Sequence, residues 1–279
     1  MKYRFIRFPG GKCKAMTLSY DDGNINDIRL VEIMNRYGLK GTFNLPGTSF
    51  PETMENGWHI SAEVARTLYF PAGHDVAIHG ATHMAPALAA PKDAIRDVLD
   101  CRSFLEKFYG RIIRGMAYPD LGTITAEMKT YLKLIGITYA RGLTLTHSFS
   151  LPTDWLEWIP TTRNRDPKLM ETLEKFLAAD PRAEYISHRE SLLFYMWGHS
   201  FEFQPDNWHI MEDFGARAGG HDDIWYANNT EIYEYCHAYD QLVFSCDNTM
   251  VYNPTQTRIW FDADGERYEI APGETLNLP

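Results

Sequence analysis

Short apolar runs alternate with stretches of helical period along most of this chain, and no other feature narrows its possible folds as far. AMTLSYDD reads as a strand and NDIRLVEIMNRYG as a helix stopped by glycine. GTFNL, HDVAIHG, IIRGMAYP and ITYARG follow as strands, separated by the helical stretches SAEVARTLY, PKDAIRDVLDCRSFLEKFYG and TAEMKTYLKLIG. The longest of these helices has Pro91 at its start and Gly110 at its end, as helix-terminus preferences require. Further on, DPKLMETLEKFLAA reads as a helix, SLLFYMWGH as a strand, and TEIYEYCHAYDQL as a last helix before VFSCD. Strands alternating with helices pair in parallel through crossover connections. Six or seven such units fit the ~250 residues of a β/α barrel. The expected fold is therefore α/β, a distorted (β/α)7-type barrel, with a doubly wound open sheet as the alternative. The final stretch, VYNPTQTRIWFDADGERYEIAPGETLNLP, alternates apolar and polar residues around Asp264-Gly265, which predicts a small C-terminal β-hairpin appendage. The expected division is a barrel over 1–250 and the appendage over 251–279.

Composition sets the outer limits. Of 279 residues, 44% are hydrophobic and 23% charged, enough apolar material for a sizeable core. No apolar run reaches membrane-spanning length, and the N-terminus MKYRFIRFPGGKCKAM lacks the apolar segment of a secretory signal, so a cytoplasmic location is expected. Cys13, Cys101, Cys236 and Cys246 are widely spaced and read as reduced structural thiols. A net charge of −10 argues against a nucleic-acid partner.

The chemistry gathers at strand ends, where β/α barrels keep their active sites. TLSYDDG places Asp21 and Asp22 at one such end, where two like charges are costly unless something offsets them. IHGATH places His79 and His83 at another, four residues apart, so that a helical turn can aim both rings at one point. Two histidines and one carboxylate form a three-ligand metal set with open positions. The ion needs only one of the two aspartates. The other, close by, can take a proton from water whose pKa the ion lowers.

In order along the chain, these motifs resemble those of the polysaccharide deacetylases of the NodB-homology group, carbohydrate esterase family 4. TLSYDDG is similar to their first motif, HGATH to the second and MWGHS to the fifth, while MAYPDLG and TDWLEW stand in the places of the third and fourth. The resemblance spans roughly residues 12 to 250 and implies a set of roles. Asp21 would be the base, and Asp22, His79 and His83 the ligands of one divalent ion. Zinc is the default ion, with cobalt, nickel or iron accommodated by the same donors. His199 would be the acid. Tyr118, Asp120, Asp154, Trp155 and Trp197 would serve the substrate or the oxyanion, the last through a main-chain N–H near Asp120. The third motif departs from the family: Ala117 stands where an arginine normally orients the base, with Arg114 or Arg141 as the available replacements. The implied activity is metal-dependent removal of an acetyl or other N-acyl group from an N-acetylated sugar, oligosaccharide or polysaccharide. A non-sugar amide as substrate and a non-catalytic carbohydrate-binding protein are the rival readings.

Other candidates carry less. Trp155, Trp158, Trp197, Trp208 and Trp225 can stack on sugars, but most tryptophans are core, and Trp197 reads as core first. His221 in GGHDD reads as a polar loop and His74 as a structural turn; His59, His147 and His188 show no partner pattern. Arg163 and Arg165 in TTRNRDP either bind a ligand carboxylate or solvate a loop.

Overall fold

A computed structural model describes residues 3–54, 57–120, 122–181 and 189–279; His188 lies outside them. The strands are β1 (Arg4–Arg7), β2 (Lys14–Asp21), β3 (Gly41–Leu45), β4 (Asp75–Ile78), β5 (Gly115–Ala117), β6 (Tyr139–Arg141), β7 (Thr162–Arg163), β8 (Leu192–His199), β9 (Ile224–Tyr226), β10 (Val243–Phe244), β11 (Met250–Tyr252), β12 (Ile259–Ala263), β13 (Glu266–Ile270) and β14 (Thr275–Asn277). The helices are α1 (Asp27–Arg36), α2 (Ala62–Leu68), α3 (Pro91–Tyr109), α4 (Ala126–Leu134), α5 (Leu169–Ala178), α6 (His209–Ala218) and α7 (Asn229–Asp240).

Seven strands form one curled parallel sheet in the order β6-β5-β4-β3-β2-β8-β7. The circuit is completed through residues 158–163. Trp158 bridges Arg141 on one side, and Thr162 and Arg163 pair with Met196 and Trp197 on the other. This is the distorted (β/α)7-type barrel the alternation predicts. Strand β2 is its axis of order. It pairs with β8 over eight residues, from Lys14↔Leu192 to Asp21↔His199. Its opposite edge is shared: β9 pairs with Lys14 to Met16, and β3 with Leu18 to Asp21.

Every residue of β2 is buried, and its two faces differ. Met16, Leu18 and Tyr20 pack with Leu30, Met34 and Phe43 in the core between sheet and helices. Thr17, Ser19 and Asp21 point into the barrel, where they meet polar partners. Thr17 donates to Asn229 Oδ1 at 2.9 Å, and Asn44 Nδ2 donates to Ser19 Oγ at 2.7 Å. A barrel interior is normally apolar. Here each of these buried polar groups has a hydrogen-bond partner, as burial demands.

Helix α6 is not apparent in the sequence because HIMEDFGARAGG carries an internal glycine, a poor helix residue. The structure supplies the reason: a Cβ on Gly215 would meet Tyr37 Cδ2 at 2.4 Å, so the glycine lets α6 pack against the end of α1. The C-terminal hairpin forms as expected, β12 and β13 pairing about Asp264 and Gly265, which have φ of 51° and 95°. Two successive left-handed residues suit a tight hairpin turn. β12 also pairs with β1, from Arg4↔Ala263 to Arg7↔Trp260, and β10, β11 and β14 form a further small antiparallel sheet. Residues of both small sheets, such as Val251, Ile259 and Phe261, share an apolar cluster with α7 and with Tyr139, Trp158 and Tyr195 of the barrel. All four cysteines are free thiols, three of them buried. No helix among the described residues is long and apolar enough to cross a membrane.

Candidate active site

Asp21 ends β2, and Asp22 opens the following loop. Asp22 has φ of 78° and Gly23 has φ of 60°, so the chain turns sharply as it leaves the sheet. The unusual backbone sends the two neighbouring carboxylates different ways. Asp21 stays buried, while Asp22 faces the site mouth.

The second element is the loop after β4. His79 is buried, and its Nδ1 lies 3.0 Å from the Ala117 carbonyl. That bond places the ring proton on Nδ1 and leaves the Nε2 lone pair facing outward, the arrangement a metal-ligating histidine needs. His83 has φ of 55° and is partly exposed. Asp97, from α3, holds the loop between them. Its carboxylate accepts from Thr82 N–H (2.8 Å), Thr82 Oγ1 (2.7 Å) and Ala81 N–H (3.1 Å). Asp22 Oδ1 lies 3.7 Å from His79 Nε2 and 3.5 Å from His83 Nε2. One ligand atom from each of Asp22, His79 and His83 falls within 4.8 Å of the others. Two nitrogens and one carboxylate oxygen converging in this way, with one imidazole already oriented from behind, fit a divalent cation.

Asp21 is held differently. Its Oδ2 is bonded by Arg141 Nη2, and its Oδ1 accepts from Asn44 Nδ2 at 2.8 Å. Burial alone would raise the Asp21 pKa, but Arg141, His79 and His199, with the Asn44 bond, hold it below the usual carboxylate range. Arg141 thus places beside Asp21 the cation that Ala117 lacks. Arg114 is turned away, bonded to the Gly136 carbonyl.

His199 ends β8 directly beside Asp21 in the sheet register. Its Nε2 lies 3.9 Å from Asp21 Oδ2 and 3.9 Å from Asp22 Oδ2. Glu202 Oε2 sits 3.9 Å from its Nδ1, and Glu202 in turn pairs with Arg163 at 2.6 Å. Burial would lower the His199 pKa, but Glu202, Asp21 and Asp22 outweigh it and hold His199 above its ordinary value.

The remaining expected residues are placed as follows. Trp197 is buried beneath His199, with the guanidinium carbons of Arg141 and Arg163 at 4.3 Å and 5.3 Å from its ring centre. It is a packing residue of the site floor. Tyr118 is committed elsewhere: its N–H donates to Arg141 O and its hydroxyl to Leu156 O at 2.7 Å. Both donors are thus bonded within the fold. Asp154 and Trp155 also have partners within the fold. Asp154 caps a short 3-10 turn and pairs with Lys129 at 2.9 Å, while Trp155 packs on Trp158 and Tyr233. Asp120 is exposed in the turn after β5, with φ of 57°. His74 is structural as expected: its Nδ1 accepts from Gly41 N–H, and burial lowers its pKa to about 4. His147 has an unforeseen partner, Asp166 at 2.6 Å. Arg163 joins the site through Glu202, and the more exposed Arg165 lies 3.9 Å from the same carboxylate.

Sequence reasoning missed Asp97, Asn44, Glu202 and the surroundings of the mouth. A cavity of about 440 Å³ opens beside Asp22 and His83, walled by Leu45, Pro46, Phe50, Pro51 and Trp58. Only Glu202 had a local signal, three residues after His199.

Comparison with known proteins agrees with this geometry. Residues 8–140 match the family described as polysaccharide deacetylase. Solved structures share the fold. A candidate polysaccharide deacetylase from Mycobacterium smegmatis superposes with a TM-score of 0.60 at 18% identity, over 84% of this chain and 94% of that one. A mutant of a CE4 family pseudoenzyme with restored enzymatic activity gives 0.53 at 15%, over 82% and 70%. The peptidoglycan deacetylase PdaC from Bacillus subtilis gives 0.50 at 13%, over 81% and 93%. Curated protein sequences give no match. With the barrel and the motif order already described, the match over residues 8–140, just under half of the chain, makes the polysaccharide deacetylases the family that this chain resembles.

Proposed function

We propose that this protein is a metal-dependent hydrolase that removes an acetyl group from an N-acetylated saccharide. The observation that carries the reading is the convergence of Asp22, His79 and His83 beside a separately held carboxylate, Asp21, and a histidine, His199. A divalent cation at the first three, with zinc the default for such donors, supplies Lewis-acid polarisation of the acyl group and lowers the pKa of water.

The chain's own residues divide the proton work. Asp21 is kept ionised by Arg141 and so accepts the proton of the attacking water. His199, whose hold on its proton is strengthened by Glu202 and the aspartates, gives that proton to the departing amine nitrogen. An amine leaves poorly without that proton, so an amide substrate needs both groups. The turn at Asp120 is retained as the place for a main-chain donor to the oxyanion.

The test is metal content measured with turnover. Wild-type protein should hold about one divalent ion per chain, as a three-ligand site implies. His83→Ala, at a partly exposed position that leaves the core intact, should lose the ion and the deacetylation of N-acetylated oligosaccharides together. Full metal occupancy in His83→Ala would sink the ligand assignment. A metal-loaded wild type inert toward every N-acyl substrate would point to a binding protein instead.

A further inference from the structure

Beside the metal ligands, the wall of the cavity contains an exposed tryptophan that the reaction does not use. Trp58 is 49% exposed, an unfavourable place for so large an apolar ring unless something covers it. Its backbone is nevertheless tightly fixed. The Trp58 carbonyl accepts from Asn24 Nδ2 at 2.8 Å and from Ile25 N–H at 2.9 Å. Those two residues directly follow Asp22-Gly23, so the tryptophan is tied to the loop that carries a ligand carboxylate. The neighbouring His59 reinforces the tie, its Nδ1 lying 3.2 Å from the Asp22 carbonyl.

Phe201 connects this ring to the opposite side of the site. Its centre is 5.1 Å from Trp58 at an interplanar angle of 34°, and 4.8 Å from His199 at 35°. The three rings form a gently tilted row from the cavity wall to His199. Trp58 lines the same cavity as Asp22 and His83, so a flat apolar face laid on its ring from the cavity lies beside those two residues. The cavity lining also limits charge. Among its described residues are Asp22, His59 and His83 but no lysine or arginine. Away from the proposed cation, an anionic group would find no lysine or arginine to pair with. Ser49 and Thr82 offer hydroxyl groups on the same wall.

We propose that Trp58, backed by Phe201, is the platform on which the pyranose ring of a neutral N-acetylated saccharide stacks, and that it sets substrate specificity. The chemistry matches: a pyranose presents one C–H face to an aromatic ring and keeps its hydroxyls for the polar rim. The proposal rests on the deacetylase reading above and specifies which part of the substrate the cavity holds.

The experiment compares wild type, Trp58→Ala and Trp58→Phe on N,N′-diacetylchitobiose and on the ringless amide N-acetylethanolamine, all metal-loaded. Loss of one apolar contact surface costs roughly tenfold or more in specificity. Trp58→Ala should raise KM for the disaccharide by about that factor with kcat nearly kept. Trp58→Phe should recover most of the loss, and the penalty should shrink on the ringless amide. Equal penalties on the two substrates, or an unchanged KM, would overturn the platform while leaving the deacetylase reading intact. Wild type that hydrolyses the ringless amide but no saccharide would overturn the saccharide reading and the platform with it. Metal content and melting temperature of each variant separate these outcomes from misfolding.

Discussion

The two sides of the site are built from different materials. On the ligand side, Asp22 and His83 sit in left-handed backbone within short loops, and Asp97 fastens one of those loops from α3. That side is partly open to solvent. On the proton side, Asp21, Arg141 and His199 stand on regular strands, and the Asp21–Arg141 pair is almost wholly buried. A loop cluster of this kind can adjust as a cation enters. A buried charge pair cannot adjust, and it fails if either partner is removed. The ligand side should therefore tolerate substitution in stability but not in metal content, and the proton side the reverse.

The largest effect expected from this contrast is on turnover. Asp21→Asn should keep the ion, because Asp22 is the proposed ligand, and lose about 10² to 10⁴-fold in rate, the usual contribution of a general base. Metal analysis beside steady-state kinetics checks both halves. Loss of the ion in Asp21→Asn, with the ion kept in Asp22→Asn, would exchange the two roles.

The next effect is on stability. Arg141→Met leaves Asp21 buried without its cation, and breaking such a pair costs about 3–5 kcal/mol. Denaturant unfolding of metal-free protein measures it. The pH dependence has a definite sign. The folded pKa of Asp21 lies below its ordinary value. Its contribution is thus complete above the unfolded pKa of about 3.9 and is lost as pH falls through the folded value. Arg141→Met should weaken that acid dependence as well as the plateau. Adding the divalent ion should recover part of the loss, since it restores a positive charge nearby. A variant as stable as wild type without metal would remove the distinction between the two sides.

The same contrast explains what could be read from the sequence. Asp22, His79 and His83 come from the loops after β2 and β4, and HGATH spaces its histidines at a local interval. Local spacing survives in a sequence. The barrel was legible for the same reason, since each strand and helix has its own periodicity. Arg141 reaches Asp21 across 120 residues, and the MAYPDLG stretch gave no sign of which arginine would replace the one missing at Ala117. Asp154 and Trp155 were assigned by their place in the motif order, yet TDWLEW folds into a capped turn whose tryptophan joins the core. Trp58 was overlooked because nothing around it is periodic; only its backbone bonds to Asn24 and Ile25 bring it to the site. β1 escaped notice because four residues, RFIR, carry too short a pattern to show a partner at the other end of the chain.

The smallest expected effect is also the one that divides the proton side most finely. Glu202 is nearly buried, pairs with Arg163 and lies beside His199 Nδ1. It touches neither ligand nor base, so it acts only through the histidine. Its own removal is mild for the fold, because Arg163 is partly exposed and can turn to water. Glu202→Gln keeps the shape and deletes the charge. Without that carboxylate His199 holds its proton less firmly, since Glu202 is the leading influence that raises it. The alkaline limb of the rate profile on an N-acetyl amide should then move to lower pH. A loss of rate at neutral pH should follow. It should stay below the loss in His199→Asn, which removes the acid itself and costs about 10² to 10⁴-fold. An activated acetyl ester, whose leaving group needs no proton, should show almost none of it. A loss of equal size on ester and amide, with no movement of the limb, would make Glu202 a packing partner of Arg163 and leave His199 charged by Asp21 and Asp22 alone.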